Sequence, residues 1–397
     1  MKIQQCPVCD SFDIEDFLKI NQVPVYCNVL WPTRQQALVA PRGDLALCFC
    51  RACGHVFNRQ FDPGLVDYTA EYENSLHYSP KFREYAESLA QELIARHDLH
   101  GKTIVEIACG KGDFLRMLCQ LGGNQGYGFD PSYEPDRDEA PLPERIQFVR
   151  DYYGPAFTSY EADFICCRHA LEHIPQATTF LRELRASIGE CSETVIFFEV
   201  PNSLYSLRDL GIWDFIYEHP SYFCAGSLAQ AFSNAGFEVL STREVYGDQF
   251  LCIEVRPWPK NATETTPAPE SEAQAGAEAV ARYIQTLPAQ YVETVKTWRE
   301  RLTDLAATGR TAVVWGGGSK GVTFLNIMQA GDEVSCVVDI NPHKQGKFVA
   351  GTGHQIVAPE ALDKHPPAVI IVMNPLYRDE IEEMVGELGV EAEIVGV

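Results

Sequence analysis

The sequence predicts an α/β protein in three parts: a small cysteine-rich N-terminal domain, a larger central domain and a smaller C-terminal domain of similar design. Two stretches alternate short apolar runs with amphipathic segments, which is the pattern of parallel strands joined by covering helices. Two Cys-x-x-Cys pairs mark the first part, and a run rich in Pro, Thr and Glu separates the other two. We therefore expect domains over residues 1–75, 76–256 and 310–397, with a linker and a helix over 257–309.

Length and composition limit the class of protein. A chain of 397 residues exceeds what one hydrophobic core usually holds. The formal charge of −23 argues against nucleic acid or an anionic membrane as the main partner. The first residues lack the apolar core of a signal peptide, and no apolar run is long enough to span a bilayer. We expect a cytoplasmic protein whose partner is a small molecule.

The N-terminal cysteines have the spacing of metal ligands. Cys6 and Cys9 form one Cys-x-x-Cys pair, and Cys50 and Cys53 form a second pair further along the chain. Four thiolates make a closed tetrahedral site for a structural Zn²⁺, with no position left for a substrate. Four free thiols are the alternative, but this part has too few apolar residues to fold without a metal. The sequence therefore predicts a zinc-binding domain.

The central part begins with a turn suited to a nucleotide-type cofactor. A buried-strand pattern runs into Ala108, Gly110 and Gly112, and a helix follows. A strand, a glycine turn and a helix in this order bring backbone amides close to a bound nucleotide. Asp130 ends the next strand, where its carboxylate can accept hydrogen bonds from both ribose hydroxyls. We expect a Rossmann-like sheet built from five strands: IVEIACG, QGYGFD, IQFVRD, ADFICCR and TVIFFEV.

Two details favour S-adenosylmethionine over a dinucleotide at this turn. Glu106 lies two residues before the turn, where it can meet the cationic amino-acid end of that cofactor. The turn lacks the complete G-x-G-x-x-G phosphate cradle, which suits a cofactor without a pyrophosphate. Asp151 follows a third strand and can bond the adenine amino group, with a solvated loop acid as the alternative. The sequence thus predicts a central class I methyltransferase domain.

A stretch over residues 212–223 places Tyr217, Glu218 and His219 side by side. Methyl transfer to carbon requires a carbanion or an enolate, and a histidine is a base of near-neutral pKa. In this interpretation His219 is the base, Glu218 orients or ionises it, and Tyr217 donates to an enolate oxygen. An aromatic loop with a surface Glu-His pair is the alternative. His173 follows the fourth strand, at the edge of the sheet where ligands bind.

The C-terminal part contains a second glycine turn, with the sequence WGGGSKG after a strand and before a helix. This is a formal G-x-G-x-x-G, and Asp339 ends the next strand, so the turn by itself indicates a dinucleotide site. This turn therefore supports an NAD-linked oxidoreductase as the main alternative to a methyltransferase. The part is short, however, and the chain has no evident partner domain for hydride chemistry.

The order of these features resembles the three-domain sugar C-methyltransferases, which act on nucleotide-linked 4-keto deoxy sugars. The resemblance covers nearly the full chain and rests on the four-cysteine block, EIACGKG, IYEHPSYF and VVDINPHKQGKFVAG. It implies zinc on the four cysteines and S-adenosylmethionine in the central domain. It assigns the second turn to the substrate's diphosphate, which would meet amides at the helix start together with four residues: Gly316, Gly318, Ser319 and Lys320.

The same resemblance implies the catalytic residues. The family's Tyr-His-Glu-His signature maps onto Tyr217, Glu218 and His219, one residue short, with His219 as the base that removes a proton alpha to the ketone. His173 matches another active-site histidine. Tyr72 falls near a tyrosine-bearing segment that closes over the site.

The sequence therefore predicts methylation of a carbon alpha to the ketone of a nucleotide-linked deoxy sugar, through an enolate. One alternative is a methyltransferase that acts on carbon or oxygen of a non-sugar metabolite. The other is the NAD-linked oxidoreductase. A purely structural role for a zinc protein is the least favoured alternative, because it would not explain the two nucleotide-type turns.

Overall fold

The computed structural model describes residues 3–66, 72–135, 143–154, 157, 160–189, 193–258 and 270–397, which form three separate sheets. The predicted α/β class is confirmed. The strands are β1 Ile14–Pro24, β2 Arg42–Cys50, β3 Val56–Asn58, β4 Thr103–Ile107, β5 Gln125–Phe129, β6 Ile146–Val149, β7 Phe164–Arg168, β8 Val195–Pro201, β9 Ser221–Tyr222, β10 Phe237–Val245, β11 Phe250–Pro257, β12 Ala312–Trp315, β13 Val334–Val338, β14 Ile356–Val357, β15 Val369–Val372 and β16 Glu393–Gly396. The helices are α1 Arg34–Leu38, α2 Pro80–His97, α3 Asp113–Gly122, α4 Ala177–Ile188, α5 Ser203–Arg208, α6 Ala225–Asn234, α7 Glu270–Ile284, α8 Leu287–Ala307, α9 Ser319–Met328, α10 Ala361–Lys364 and α11 Arg378–Glu387.

The first sheet is antiparallel, in the order β1-β2-β3-β9. Its fourth strand comes from the middle of the chain, because Val56 pairs with Tyr222 and Phe57 with Ser221. This strand directly follows the loop that contains His219. The pairing therefore ties the predicted base to the N-terminal sheet.

The central sheet has seven strands in the order β10-β11-β8-β7-β4-β5-β6. The five strands predicted from the sequence are all present and run parallel, and the hairpin β10–β11, which the sequence interpretation missed, joins β8 antiparallel. The chain leaves β4 toward β5 on one side and returns to β7 on the other. Ligands bind at such a switch point, outside the carboxyl ends of the strands.

The third sheet is parallel, in the order β14-β13-β12-β15-β16, with its own switch point at β12. The single helix expected before this sheet is two helices, α7 and α8. Pro288 lies in the first turn of α8, where its missing N–H costs nothing, whereas inside one long helix it would remove a hydrogen bond. The polar stretch predicted as a linker includes 259–269, which lie outside the described residues.

Apolar packing joins the first sheet to the third. Leu45 and Tyr222 share one core with Val314 and Phe324. The cysteine-bearing loops pack instead on the central sheet, through a second core. All three sheets therefore border one common space, and that space contains the site.

Candidate active site

One cleft lies between the central and third sheets and receives residues from all three parts of the chain. Glu106 of β4 and Ala108 of the first glycine turn form one wall, and Gly318 of the second glycine turn forms another. His219 lies in the same cleft. The structure thus brings together two turns that are some two hundred positions apart in the sequence.

Glu106 is a buried residue that lines the cleft, and one oxygen of its carboxylate accepts no hydrogen bond. Its side chain is 3% exposed, and its Oε2 has no hydrogen-bond partner. Burial raises the pKa of Glu106 to about 8. An ammonium group bound here would lower that pKa and supply the missing donors, which fits the amino-acid end of S-adenosylmethionine.

Ala108 lines the cleft in an unusual backbone conformation. Its φ is 53°, in the left-handed region that favours glycine, and methyltransferases usually have glycine at this position. The alanine therefore stores backbone strain of about 1–2 kcal/mol. Gly110 also lines the cleft, whereas Gly112 does not: a Cβ on Gly112 would lie 2.3 Å from the Phe148 ring. Gly112 acts by allowing this close packing.

The two predicted ribose and adenine partners do not line the cleft. Asp130 is buried at the end of β5, where its Oδ2 accepts from the backbone N–H of Gly110 at 2.9 Å and its Oδ1 accepts from Ser132. Asp151 is exposed, and its carboxylate accepts from the next backbone N–H, that of Tyr152. Asp130 therefore supports the turn directly, and the roles of both acids toward the cofactor stay predictions.

His219 and His173 form a half-buried pair in the cleft. Their rings meet edge to face with centroids 4.6 Å apart. Burial lowers the pKa of His173 to about 4, and burial together with His173 holds the pKa of His219 well below its usual range. Both imidazoles are therefore neutral at neutral pH, which is the state that can accept a proton.

Glu218 lies behind these histidines, outside the cleft lining. Its Oε2 accepts from the Cys27 backbone N–H at 2.8 Å, and its backbone carbonyl is 3.0 Å from Nδ1 of His173. Burial raises the pKa of Glu218 to about 7, and hydrogen bonds from Cys27 and Tyr72 partly offset that rise. Tyr72 lines the cleft as predicted. Glu218 therefore links the His173 position to the N-terminal domain.

Tyr217 is a correction to the sequence interpretation. Its hydroxyl accepts from the Asp62 backbone N–H at 3.0 Å, and its ring is buried against Gly43 and Phe61, away from the cleft. Ile216 lines the cleft instead. The Tyr217 phenol is therefore not brought to the enolate position.

The second glycine turn opens fully into the cleft. Its four predicted residues, Gly316, Gly318, Ser319 and Lys320, all line the space, and Ser319 begins α9. Lys320 Nζ is 2.7 Å from Asp214 Oδ2, and this ion pair partly neutralises it.

Several cleft residues were not predicted. Arg168 ends β7 and His169 follows it, and each lies within 2.8 Å of the buried carboxylate of Glu199. Lys344 is 95% buried beside the second turn, near Gly318. Charged residues directly after a buried strand, as in FICCRH, are a signal that was available in the sequence. Lys344 lies within VVDINPHKQGKFVAG, one of the motifs of the family resemblance, but no binding role was predicted for it.

The four predicted zinc ligands converge. Cys6 Sγ is 3.6 Å from Cys53 Sγ, Cys9 Sγ is 3.5 Å from Cys50 Sγ, and all four sulfurs lie within 4.8 Å of one another. A tetrahedral Zn²⁺ with Zn–S bonds of about 2.3 Å places its sulfurs about 3.8 Å apart, so this arrangement fits the ion. None of the thirteen cysteines that the structure describes forms a disulfide. Among the described helices, none is long and apolar enough to cross a membrane.

Comparison with known proteins supports the assignment. A family model described as a methyltransferase domain matches residues 79–242, and one described as a C-methyltransferase C-terminal domain matches residues 258–390. The C-methyltransferase NovU of Streptomyces niveus is 25% identical and covers 96% of this chain and 91% of its own. The protein is a methyltransferase that uses S-adenosylmethionine, and over nearly its whole length it is similar to a C-methyltransferase. The resemblance drawn from the sequence is confirmed, and the oxidoreductase alternative is not favoured.

Solved structures resemble this methyltransferase only in part. Magnesium protoporphyrin IX methyltransferase from Synechocystis PCC 6803 is 16% identical and aligns with 44% of this chain and 83% of its own, with a TM-score of 0.35. The 1,6-didemethyltoxoflavin-N1-methyltransferase of Burkholderia thailandensis is 16% identical and aligns with 44% and 78%, with a TM-score of 0.33. The assignment rests on the family models and the relative.

Proposed function

We propose that this enzyme methylates a carbon alpha to the ketone of a nucleotide-linked deoxy sugar, through an enolate formed by His219. The observation that carries the proposal is the single cleft lined by the first glycine turn, His219 and the second glycine turn. A donor site, a base and an anion-binding turn in one space suit a substrate with a reactive sugar at one end and a diphosphate at the other. If the substrate were a small non-sugar metabolite without a diphosphate, the second glycine turn would have no role.

The cofactor supplies an electrophilic methyl group when it is bound. In this proposal the Glu106 carboxylate pairs with its amino group, and Ala108 and Gly110 allow its close approach to the backbone. Asp130 and Asp151 are the proposed partners of the ribose and the adenine. Zn²⁺ on the four cysteines holds the N-terminal loops in place and takes no part in the reaction.

His219 begins the reaction by accepting the proton alpha to the ketone, which its neutral state permits. The His173 ring packs against it and fixes its orientation. With the cofactor bound, transfer of its methyl group from sulfur to the enolate carbon would restore the ketone and leave S-adenosylhomocysteine, and His219 would pass the abstracted proton to solvent. Tyr72 is the predicted tyrosine that remains at the cleft, since Tyr217 is buried elsewhere. Its single O–H bonds the Glu218 carboxylate and would turn from it to donate to the enolate oxygen.

The diphosphate of the substrate would meet the N-terminus of α9, where backbone N–H groups and the helix dipole favour an anion. Ser319 and Lys320 add a hydroxyl and a charge, and Lys344 adds a second charge. An incoming diphosphate would compete with Asp214 for Lys320.

Solvent hydrogen exchange tests this proposal. We expect the enzyme, with S-adenosylhomocysteine bound, to exchange the hydrogen alpha to the ketone of a nucleotide-linked keto deoxy sugar with deuterium from solvent. Thermal shift with nucleoside diphosphates and S-adenosylhomocysteine is the companion measurement, because each ligand that binds the folded enzyme raises its melting temperature. Stabilisation by S-adenosylhomocysteine without stabilisation by any nucleoside diphosphate would favour a non-sugar substrate.

A further inference from the structure

Three side chains with metal-binding atoms meet in the cleft beside the proposed base. Glu172, His173 and His219 each contribute one ligand-type atom, and these atoms lie within 4.8 Å of one another. Glu172 and His173 follow β7, and His219 precedes β9. All three line the cleft, and the proposed methyl transfer gives Glu172 no task.

The Glu172 carboxylate is buried and lacks a hydrogen-bond donor for one of its oxygens. The residue is 97% buried, and its Oε2 has no hydrogen-bond partner. Burial of an acceptor without a donor is costly. A cation beside this carboxylate would supply the missing partner.

The hydrogen bonding of His173 suits a metal ligand. Its Nδ1 is 3.0 Å from the backbone carbonyl of Glu218. A carbonyl oxygen only accepts, so Nδ1 carries the proton, and in the neutral ring the lone pair is then on Nε2. Histidines that bind metals are commonly held in this way, by a backbone carbonyl on the other ring nitrogen.

We propose that Glu172, His173 and His219 form a second metal site, separate from the four cysteines, for a divalent transition ion such as Zn²⁺ or Co²⁺. Two imidazoles and one carboxylate are ligands that these ions accept, and three protein ligands leave a coordination position open toward the cleft. Metal binding occupies the lone pair of His219, so the bound ion prevents proton abstraction. This inhibition rests on the proposed function, whereas the binding itself does not.

The binding test is a Co²⁺ titration of the full-length enzyme after one equivalent of Zn²⁺ has been added to fill the cysteine site. Visible absorption and metal content after gel filtration report the uptake. We expect one further ion per chain in the wild type, and an affinity lower by about tenfold or more in Glu172→Gln and in His173→Asn. His365→Asn removes an exposed histidine and should bind Co²⁺ like the wild type. Uptake of no further ion, or equal affinity of the wild type and Glu172→Gln, overturns the proposal.

The exchange assay described above separates binding from inhibition. We expect Co²⁺ to slow hydrogen exchange in the wild type as the site fills, and to leave Glu172→Gln at the rate that this variant shows without metal. If Co²⁺ binds and wild-type exchange is unchanged, the inhibition is refuted and the role of His219 as the base fails with it, while the metal site stands.

Discussion

The rings of His173 and His219 meet edge to face in the cleft, with their centroids 4.6 Å apart. Burial disfavours a positive charge on either ring, His169 disfavours one on both, and His173 disfavours one on His219. The pair is therefore held neutral over the physiological pH range. A neutral histidine is available as a base without prior loss of a proton, and this availability underlies the first prediction.

Replacement of the proposed base should lower the reaction rate without weakening cofactor binding. We expect His219→Asn to lower both hydrogen exchange and methyl transfer by about 10²–10⁴-fold, because asparagine cannot accept the proton. Affinity for S-adenosylhomocysteine, measured by calorimetry, should change little. His100→Asn, at an exposed position, is the control and should keep full activity. Full turnover by His219→Asn would show that another group is the base.

Cofactor binding should depend on pH through Glu106. Burial raises the pKa of this carboxyl to about 8, so the empty enzyme holds it protonated at pH 6, and a cationic amino group requires it ionised. Binding then releases a proton, and affinity for S-adenosylhomocysteine should rise by up to about tenfold per pH unit between about pH 5.5 and 7. Calorimetry in two buffers with different heats of ionisation measures that proton.

The Glu106→Gln variant should bind S-adenosylhomocysteine about tenfold or more weakly at pH 7, with no such pH dependence, because the amide has no charge to gain. Glu84→Gln, on the exposed side of α2, should retain the wild-type profile. A wild-type profile in Glu106→Gln would mean that the cofactor's amino group binds elsewhere.

Zinc should depend on Cys50 and not on its near neighbour Cys48. We expect Cys50→Ser to lose the metal and to melt about 5 °C or more below the wild type, because a closed structural site contributes folding free energy directly. Cys48 is buried but stands outside the four-sulfur cluster, so Cys48→Ser should retain one zinc per chain. Elemental analysis and thermal melting provide the readouts. Zinc retained by Cys50→Ser would refute the assignment.

The second glycine turn should use Lys344 for the substrate's diphosphate. We expect Lys344→Gln to weaken nucleoside diphosphate binding by about tenfold or more, since a buried cation beside Gly318 is lost from the turn. Lys347→Gln changes a lysine three residues later that does not line the cleft and is the matched control. Calorimetry with a nucleoside diphosphate checks both, and equal affinities would exclude Lys344 from the site.

Local sequence was sufficient for features that depend on near neighbours in the chain. The strand that ends in Glu106 and the turn after it follow from apolar runs and glycine spacing, and both appear in the structure. The cysteines could be paired into one site because thiolates in Cys-x-x-Cys spacing have few other uses in such a short block. The direction in which a loop side chain points could not be predicted from local sequence. Tyr217 and His219 belong to one short stretch, yet packing against Gly43 buries the tyrosine and leaves the histidine in the cleft.

The sequence alone therefore determined the α/β class and the two glycine turns, and it supplied the predictions of three parts, of four thiol ligands and of His219 as the base. Tertiary structure decided which of these share a site. The two turns line one cleft, and Tyr217 is buried in the core. Glu172 and His173 lie close to His219. The reason is physical. Strands and turns arise from interactions between residues close in sequence, whereas a cleft depends on packing between segments far apart in sequence, which no local pattern records.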